Sequence, residues 1–211
     1  MLNRFSSSMV RVAPLAAQRR NLNIHEYSSK KLLNEFGVTT EFGIMCESIE
    51  QVQAALAKVK TEKKVVKSQI LAGGRGKGTF VDGFKGGVHV CADADAALAT
   101  AKKMLGNTLV TKQTGEAGLE VKKLFITETV PAIKRELYVA LLLDRVTCKP
   151  TFIACTEGGM NIETVAAERP EMIKKMPISI NDGINADACK KFAGELGFDD
   201  EGAEKLTKEL F

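Results

Sequence analysis

The amino-acid sequence predicts an α+β (α/β) fold with partly antiparallel sheets. Three observations carry that expectation. Helical periodicity recurs along the chain, short apolar runs alternate with it at hairpin-like spacing, and turns rich in Gly, Glu and Pro separate the two. At 211 residues, 45% of them hydrophobic, the chain can build one large domain or two small ones.

The first helical pattern begins near His25. Tyr27, Leu32, Leu33 and Phe36 lie on one side, and Gly37 supplies a left-handed stop. A short strand is expected over 42–45. Ser48 then caps a helix that carries Ile49, Val52, Ala55, Leu56 and Val59 on its apolar positions. Residues 65–71 form the next expected strand, which runs into a glycine-rich loop, and 86–91 alternate as another. Asp93 or Asp95 starts an alanine-rich helix that stops at Gly106. Further strands are expected over 109–111, 124–128, 136–144 and 151–155. A Gly-Gly turn follows, then a short helix near 162–167 and two helical patterns over 186–196 and 201–210. No internal repeat is present.

Charge is unevenly placed. The formal net charge is +4, yet residues 1–25 hold Arg4, Arg11, Arg19 and Arg20 with no acid, so the remainder is neutral. A neutral body gives no reason to expect nucleic acid as a partner. No apolar run approaches the length of a membrane span, so no membrane partner is expected either. An Arg-rich, acid-free segment containing Ser6-Ser7-Ser8 has the composition of a mitochondrial transit peptide, here assigned to residues 1–21. Arg11 and Pro14 break the apolar core that a secretory signal needs. The five cysteines are scattered and form no C-x-x-C pair, which argues against a disulfide scaffold or a zinc site. Reduced thiols suit a matrix protein.

The segment from Val65 to Gly78, V-V-K-S-Q-I-L-A-G-G-R-G-K-G, holds the most chemistry. It is not a P-loop: Lys77 is followed by Gly78, and Leu71 stands where the first glycine belongs. It is not a dinucleotide fingerprint, because Gly74, Gly76 and Gly78 run on toward more glycine and a strand. Seven glycines between Gly73 and Gly87 are too many for a helix. The loop alone reads equally as a lid over phosphates or as a surface turn with solvated Arg75, Lys77 and Lys85. Lys67 favours the lid. It sits inside an apolar strand, on one face with Val65 and Gln69, where an ammonium calls for an anion. Downstream, Glu128, Pro131 and Glu136 outline a hinge between two strands. Its main chain suits a purine edge, and Glu136 as a carboxylate can accept two ribose hydroxyls. An exposed hairpin with Glu136 paired to a base explains the same residues.

Taken together, several separately placed motifs resemble the β subunit of succinate–CoA ligase. They are Asn23-Ile24-His25-Glu26-Tyr27, the 71–78 loop with Lys67 before it, and Lys85-Gly86-Gly87-Val88. Glu128 and Glu136 at their separation, Thr156-Glu157-Gly158-Gly159 with Ile162-Glu163, and Val165-Ala166-Ala167-Glu168 complete the set. The resemblance runs in order from Leu22 to the C-terminus. It implies an ATP-grasp fold of two subdomains: a small one over 41–123 with the phosphate loop, and a second over 22–40 plus 124–211, C-terminally incomplete and without the CoA-ligase-type C-terminal domain. It implies that Lys67, Gly74, Arg75 and Gly76 bind the nucleotide's phosphates, that Glu128 and Pro131 line the base, and that Glu136 holds the ribose.

The activity so implied is succinyl-CoA + phosphate + NDP ⇌ succinate + CoA + NTP in the citric acid cycle, with ATP or GTP and Mg2+, in the mitochondrial matrix. The phosphohistidine of that reaction belongs to the family's α subunit, the implied partner in a heterodimer or heterotetramer. No catalytic residue is therefore expected in this chain, and neither His25 nor His89 has a suitable setting. The family's metal-binding stretch finds no match before Phe211, so the metal ligands are expected beyond it and the chain alone is expected to be inactive. A short noncatalytic nucleotide-binding or assembly module is the alternative from another class. Malate–CoA ligase and ATP-citrate lyase are the enzymatic alternatives.

Overall fold

The computed structural model describes residues 23–130, 132–159 and 162–210. The expected transit peptide at 1–21 and Pro131 lie outside the described residues.

In chain order the elements are α1 (Glu26–Glu35), β1 (Gly43–Cys46), α2 (Ile49–Lys58), β2 (Lys64–Ser68), β3 (Thr79–Phe80), β4 (Val88–Cys91), α3 (Ala94–Met104), β5 (Thr108–Val110), β6 (Leu119–Glu120) and β7 (Leu124–Glu128). Then follow β8 (Tyr138–Asp144), β9 (Lys149–Cys155), α4 (Ile162–Glu168), β10 (Ile173–Pro177), α5 (Ala186–Glu195) and α6 (Asp200–Leu210). Helix starts follow side-chain chemistry: the Ser48 hydroxyl accepts from the Gln51 amide at 3.3 Å, and Asp93, not Asp95, accepts from the Ala96 amide at 2.8 Å. Gly37 and Gly106 stop α1 and α3 with φ of +82° and +79°.

The strands form three antiparallel sheets, ordered β1-β7-β2-β4, β3-β5-β6 and β10-β9-β8. In the first, alternation sorts the side chains. Val66 and Ile126 are paired, fully buried, and pack with Val52 of α2 and Ala97 of α3. Lys67 and Phe125, the next pair, point to the opposite face. Gly43 makes room there, since a Cβ on it would lie 2.5 Å from the Phe125 ring. A second core lies between the third sheet and α5: Phe152, Ala154 and Met176 meet Cys189, Phe192 and Leu196.

Four expectations change. The strand over 65–71 ends at Ser68, after which the chain turns into the glycine loop. The strand expected from Glu136 begins at Tyr138, because the Glu136 carbonyl instead accepts from the Gly158 amide at 3.1 Å. The strand Leu124–Glu128, expected with the second subdomain, sits in the middle of the first sheet, where Leu124 and Ile126 complete its core. Helix α1, also expected with the second subdomain, docks on that same first sheet. Its apolar positions do not hold it there: Leu32, Leu33 and Phe36 stay 48%, 44% and 80% exposed, and no α1 residue is buried. Charged residues do that instead. Strand β10 was not foreseen, since I-K-K-M-P has no alternation to reveal it. Among the described residues, no helix is long and apolar enough to cross a membrane.

Candidate functional site

A cleft of about 1250 Å³ opens beside the glycine loop. Gly73 to Lys77, Tyr138, Gly159 and Glu163 line the cleft, together with Glu26 from α1. The loop is held from several directions. The Gly73 amide donates to Gln113 Oε1 at 2.7 Å, and Gly78 and Gly87 both donate to the Arg75 carbonyl, at 3.1 and 2.8 Å. Gly74 adopts φ +76°, and residues 75–77 form one 3-10 turn. The amides of Gly74, Arg75 and Gly76 find no acceptor among the described residues. Consecutive N–H groups of this kind make an anion-binding concavity.

Beneath the loop five charged groups meet. Lys67 Nζ lies 3.0 Å from Glu26 Oε1 and 2.7 Å from Glu41 Oε1. Arg75 Nη2 lies 2.8 Å from Glu26 Oε2, while its Nη1 donates to the Ser68 carbonyl. Lys30 pairs with both carboxylates and stands 5.8 Å above the centre of the Phe125 ring. The side chains of Lys67 and Glu26 are only 16% and 20% exposed, so these pairs are shielded from solvent. Burial alone would push the Glu26 carboxyl up, but the hydrogen bond from Arg75 and the charge of Lys67 outweigh it and hold it at about 2. Glu41 is likewise lowered, burial being outweighed by Lys30 and Lys67. The same contacts, against the opposing effect of burial, raise Lys67.

The structure thus brings together Lys67, Gly74, Arg75 and Gly76, four of the seven expected site residues, but Glu26 rather than Lys67 lines the cleft. Glu128 sits at the other end of β7, paired with Lys64, and its Oε1 accepts from the Lys60 amide at 3.2 Å. Glu136 packs under the Gly158-Gly159 turn, so closely that a Cβ on Gly158 would lie 2.4 Å from its carbonyl carbon. Neither glutamate lines the cleft, and Pro131 is outside the described residues. The hinge is anchored by Arg135, whose Nη1 donates to the Leu196 carbonyl at 2.9 Å while its guanidinium covers the Phe198 ring.

Sequence reasoning missed Glu26, Lys30 and Glu41 as members of the site. Their separations from Lys67 have no period that could expose them; only the acid in the N-I-H-E-Y segment gave a hint. His89 is structural: Nε2 lies 2.7 Å from the Gly86 carbonyl and the ring stacks on Phe84. All five cysteines are free thiols. Among the described residues, no cluster of three or more His, Cys, Asp or Glu side chains could hold a metal ion.

Comparison with known proteins bears on the family and the fold. Residues 23–211 match the ATP-grasp domain family. The chain is 40% identical over 214 residues to the mitochondrial succinate–CoA ligase [ADP-forming] subunit beta of Dictyostelium discoideum, covering 100% of this chain and 46% of that protein. It is 46% identical over 193 residues to the succinate–CoA ligase [ADP-forming] subunit beta of Opitutus terrae, covering 90% of this chain and 49% of that one. The chain spans about half the length of the curated relatives it matches. A solved structure of the dinucleotide forming acetyl-coenzyme A synthetase 1 of Ca. Korarchaeum cryptofilum, in complex with coenzyme A, acetyl-coenzyme A and a phosphorylated phosphohistidine segment, superposes with a TM-score of 0.58 at 15% identity. That match covers 88% of this chain and 77% of the other, and it speaks for the fold alone. With the family match extending from Asn23 to the last residue over the sheets and glycine loop described here, the chain belongs to the ATP-grasp domain family.

Proposed function

We propose that this chain is the nucleotide-binding N-terminal half of a succinate–CoA ligase β subunit, which serves the interconversion of succinyl-CoA, phosphate and NDP with succinate, CoA and NTP. The observation that carries the reading is the paired placement of Lys67 and Arg75 under a loop whose Gly74, Arg75 and Gly76 amides lack acceptors, all beside an open cleft. A guanidinium and an ammonium one carboxylate apart match two oxygens of a phosphate chain, and the three amides add donors without added side-chain bulk at the two glycines. In this reading the chain binds and orients the nucleotide's phosphates at the cleft; a base and ribose held by Glu128, Pro131 and Glu136 would lie beyond it, since neither glutamate lines it.

The same reading includes an α-subunit partner bearing the phosphohistidine, with CoA and succinate bound through the complex. It also includes residence in the mitochondrial matrix after removal of residues 1–21. The leader composition and the mitochondrial name of the Dictyostelium relative support that location. Mg2+ would accompany the nucleotide and neutralise its phosphate charge. Its protein ligands are proposed outside the residues described here.

Calorimetric titration of the chain with ATP and with GTP tests the reading and reports the base preference. Lys67→Ala and Arg75→Ala are each expected to weaken binding about tenfold or more, the loss of one charge-assisted contact. Unchanged affinity in both variants would overturn the assignment.

A further inference from the structure

We propose that Glu26 is an internal stand-in for a ligand phosphate: its carboxylate occupies Lys67 and Arg75, and a bound polyphosphate must displace it. The inference rests on the reading of Lys67 and Arg75 as phosphate-binding residues. Glu26 divides its two oxygens between an ammonium at 3.0 Å and a guanidinium at 2.8 Å, as two oxygens of one phosphate would. With Arg75 it lines the cleft, whereas Lys67 does not. An arriving phosphate therefore meets a carboxylate before it meets the lysine.

Glu41 reinforces the arrangement, accepting from Lys67 at 2.7 Å and from Lys30. Three cations and two carboxylates leave the cluster one positive charge in excess, and neutralising Glu26 would leave it two. The helix that carries Glu26 can yield. No α1 residue is buried, so its hold on the sheet depends on these ion pairs, on the Tyr27 amide's 3.3 Å bond to Gln69 Oε1, and on loose ring contacts. A polyphosphate that takes over Lys67 and Arg75 replaces one set of charge-assisted bonds with another and leaves the Glu26 carboxylate to solvent. The competition lowers the affinity of the bare cations for any anion. It sets a threshold that a multiply charged chain of phosphates passes more readily than a singly charged ligand.

The test is calorimetric titration of the chain with inorganic tripolyphosphate and with ATP. Glu26→Gln is expected to tighten both by about tenfold and Glu41→Gln by about threefold, the scale of one nearby like charge removed at a half-buried site. Glu26→Asp, which restores the charge, is expected to return the affinity toward that of the parent chain. A carboxylate that served only to hold the lysine in place would give the opposite sign, so unchanged or weaker binding in a folded Glu26→Gln chain overturns the proposal. Far-ultraviolet dichroism checks the fold. Where Glu26→Gln melts α1, Glu41→Gln decides, with tighter binding in support and unchanged or weaker binding against. Lys67→Ala and Arg75→Ala separate the two levels: if both leave tripolyphosphate binding untouched, the phosphate reading itself fails. If either weakens binding while neither glutamine variant strengthens it, only the competition fails.

Discussion

Glu26 is a carboxylate whose ionisation is governed by neighbours 41 and 49 residues away in sequence, Lys67 and Arg75. Its folded pKa of about 2 lies below its ordinary value of 4.5. A depressed carboxyl pKa means that the folded state binds the proton less tightly than the unfolded state. The resulting stability is complete above about 4.5 and is lost as pH falls toward 2. Lys67 has the opposite sign: its raised pKa gives stability that is present below the ordinary lysine value and lost as pH climbs through the folded one. The network is therefore strongest between these limits. Urea unfolding at pH 7 is expected to find Glu26→Gln less stable than the parent by about 2 kcal/mol, with the gap closing by pH 2 to 2.5. A gap that persisted at pH 2 would mean that Glu26 contributes by packing rather than by charge. At this scale the sequence marked Lys67 as a lysine in need of an anion, and the structure supplies carboxylates. No property of residues 26 and 41 in the sequence says that they meet residue 67.

The glycine loop shows the same division at the scale of an element. Its composition excluded a helix and two common nucleotide motifs, but it could not say what each glycine is for. Gly87 is needed for close packing: a Cβ there would lie 2.5 Å from Leu109 Cδ2 and 3.0 Å from the Arg75 carbonyl. Gly74 is needed for its φ of +76°. Gly76 has no neighbour within 4 Å of where a Cβ would stand, and its φ is not in the left-handed region. Thermal unfolding should accordingly find Gly87→Ala destabilised by about 1–3 kcal/mol, the usual cost of overpacking. Gly76→Ala should stay within about 0.5 kcal/mol of the parent, as an exposed site does. A stability loss in Gly76→Ala equal to that in Gly87→Ala would contradict this loop geometry. Helices α2, α3 and α5 were legible because apolar spacing and capping residues are local signals. Strand β10 was not, because its pairing with β9 decides its conformation and its own sequence does not alternate.

At the scale of the molecule, most of the buried apolar residues among those described gather into two clusters, one under β1, β2 and β7 and one between β8–β10 and α5. Each should respond to its own mutations. Phe192→Ala removes a nearly buried ring from the second cluster and is expected to cost about 3–5 kcal/mol. Hydrogen exchange should then speed up in β9, β10 and α5 while amides of β2 and β7 keep their protection. Equal acceleration in both sheets would mean that the clusters unfold as one. Periodicity, caps and motifs are written in neighbouring residues, so the sequence alone carried the fold class, most of the helices, the glycine-loop composition and the family resemblance. Tertiary structure alone decided that β7 completes the first sheet, that α1 docks by charge with its apolar side exposed, and that Glu26 and Glu41 hold the cations beneath the loop. Those outcomes depend on strand register and on charges brought together through space, and neither leaves a periodic mark along the chain.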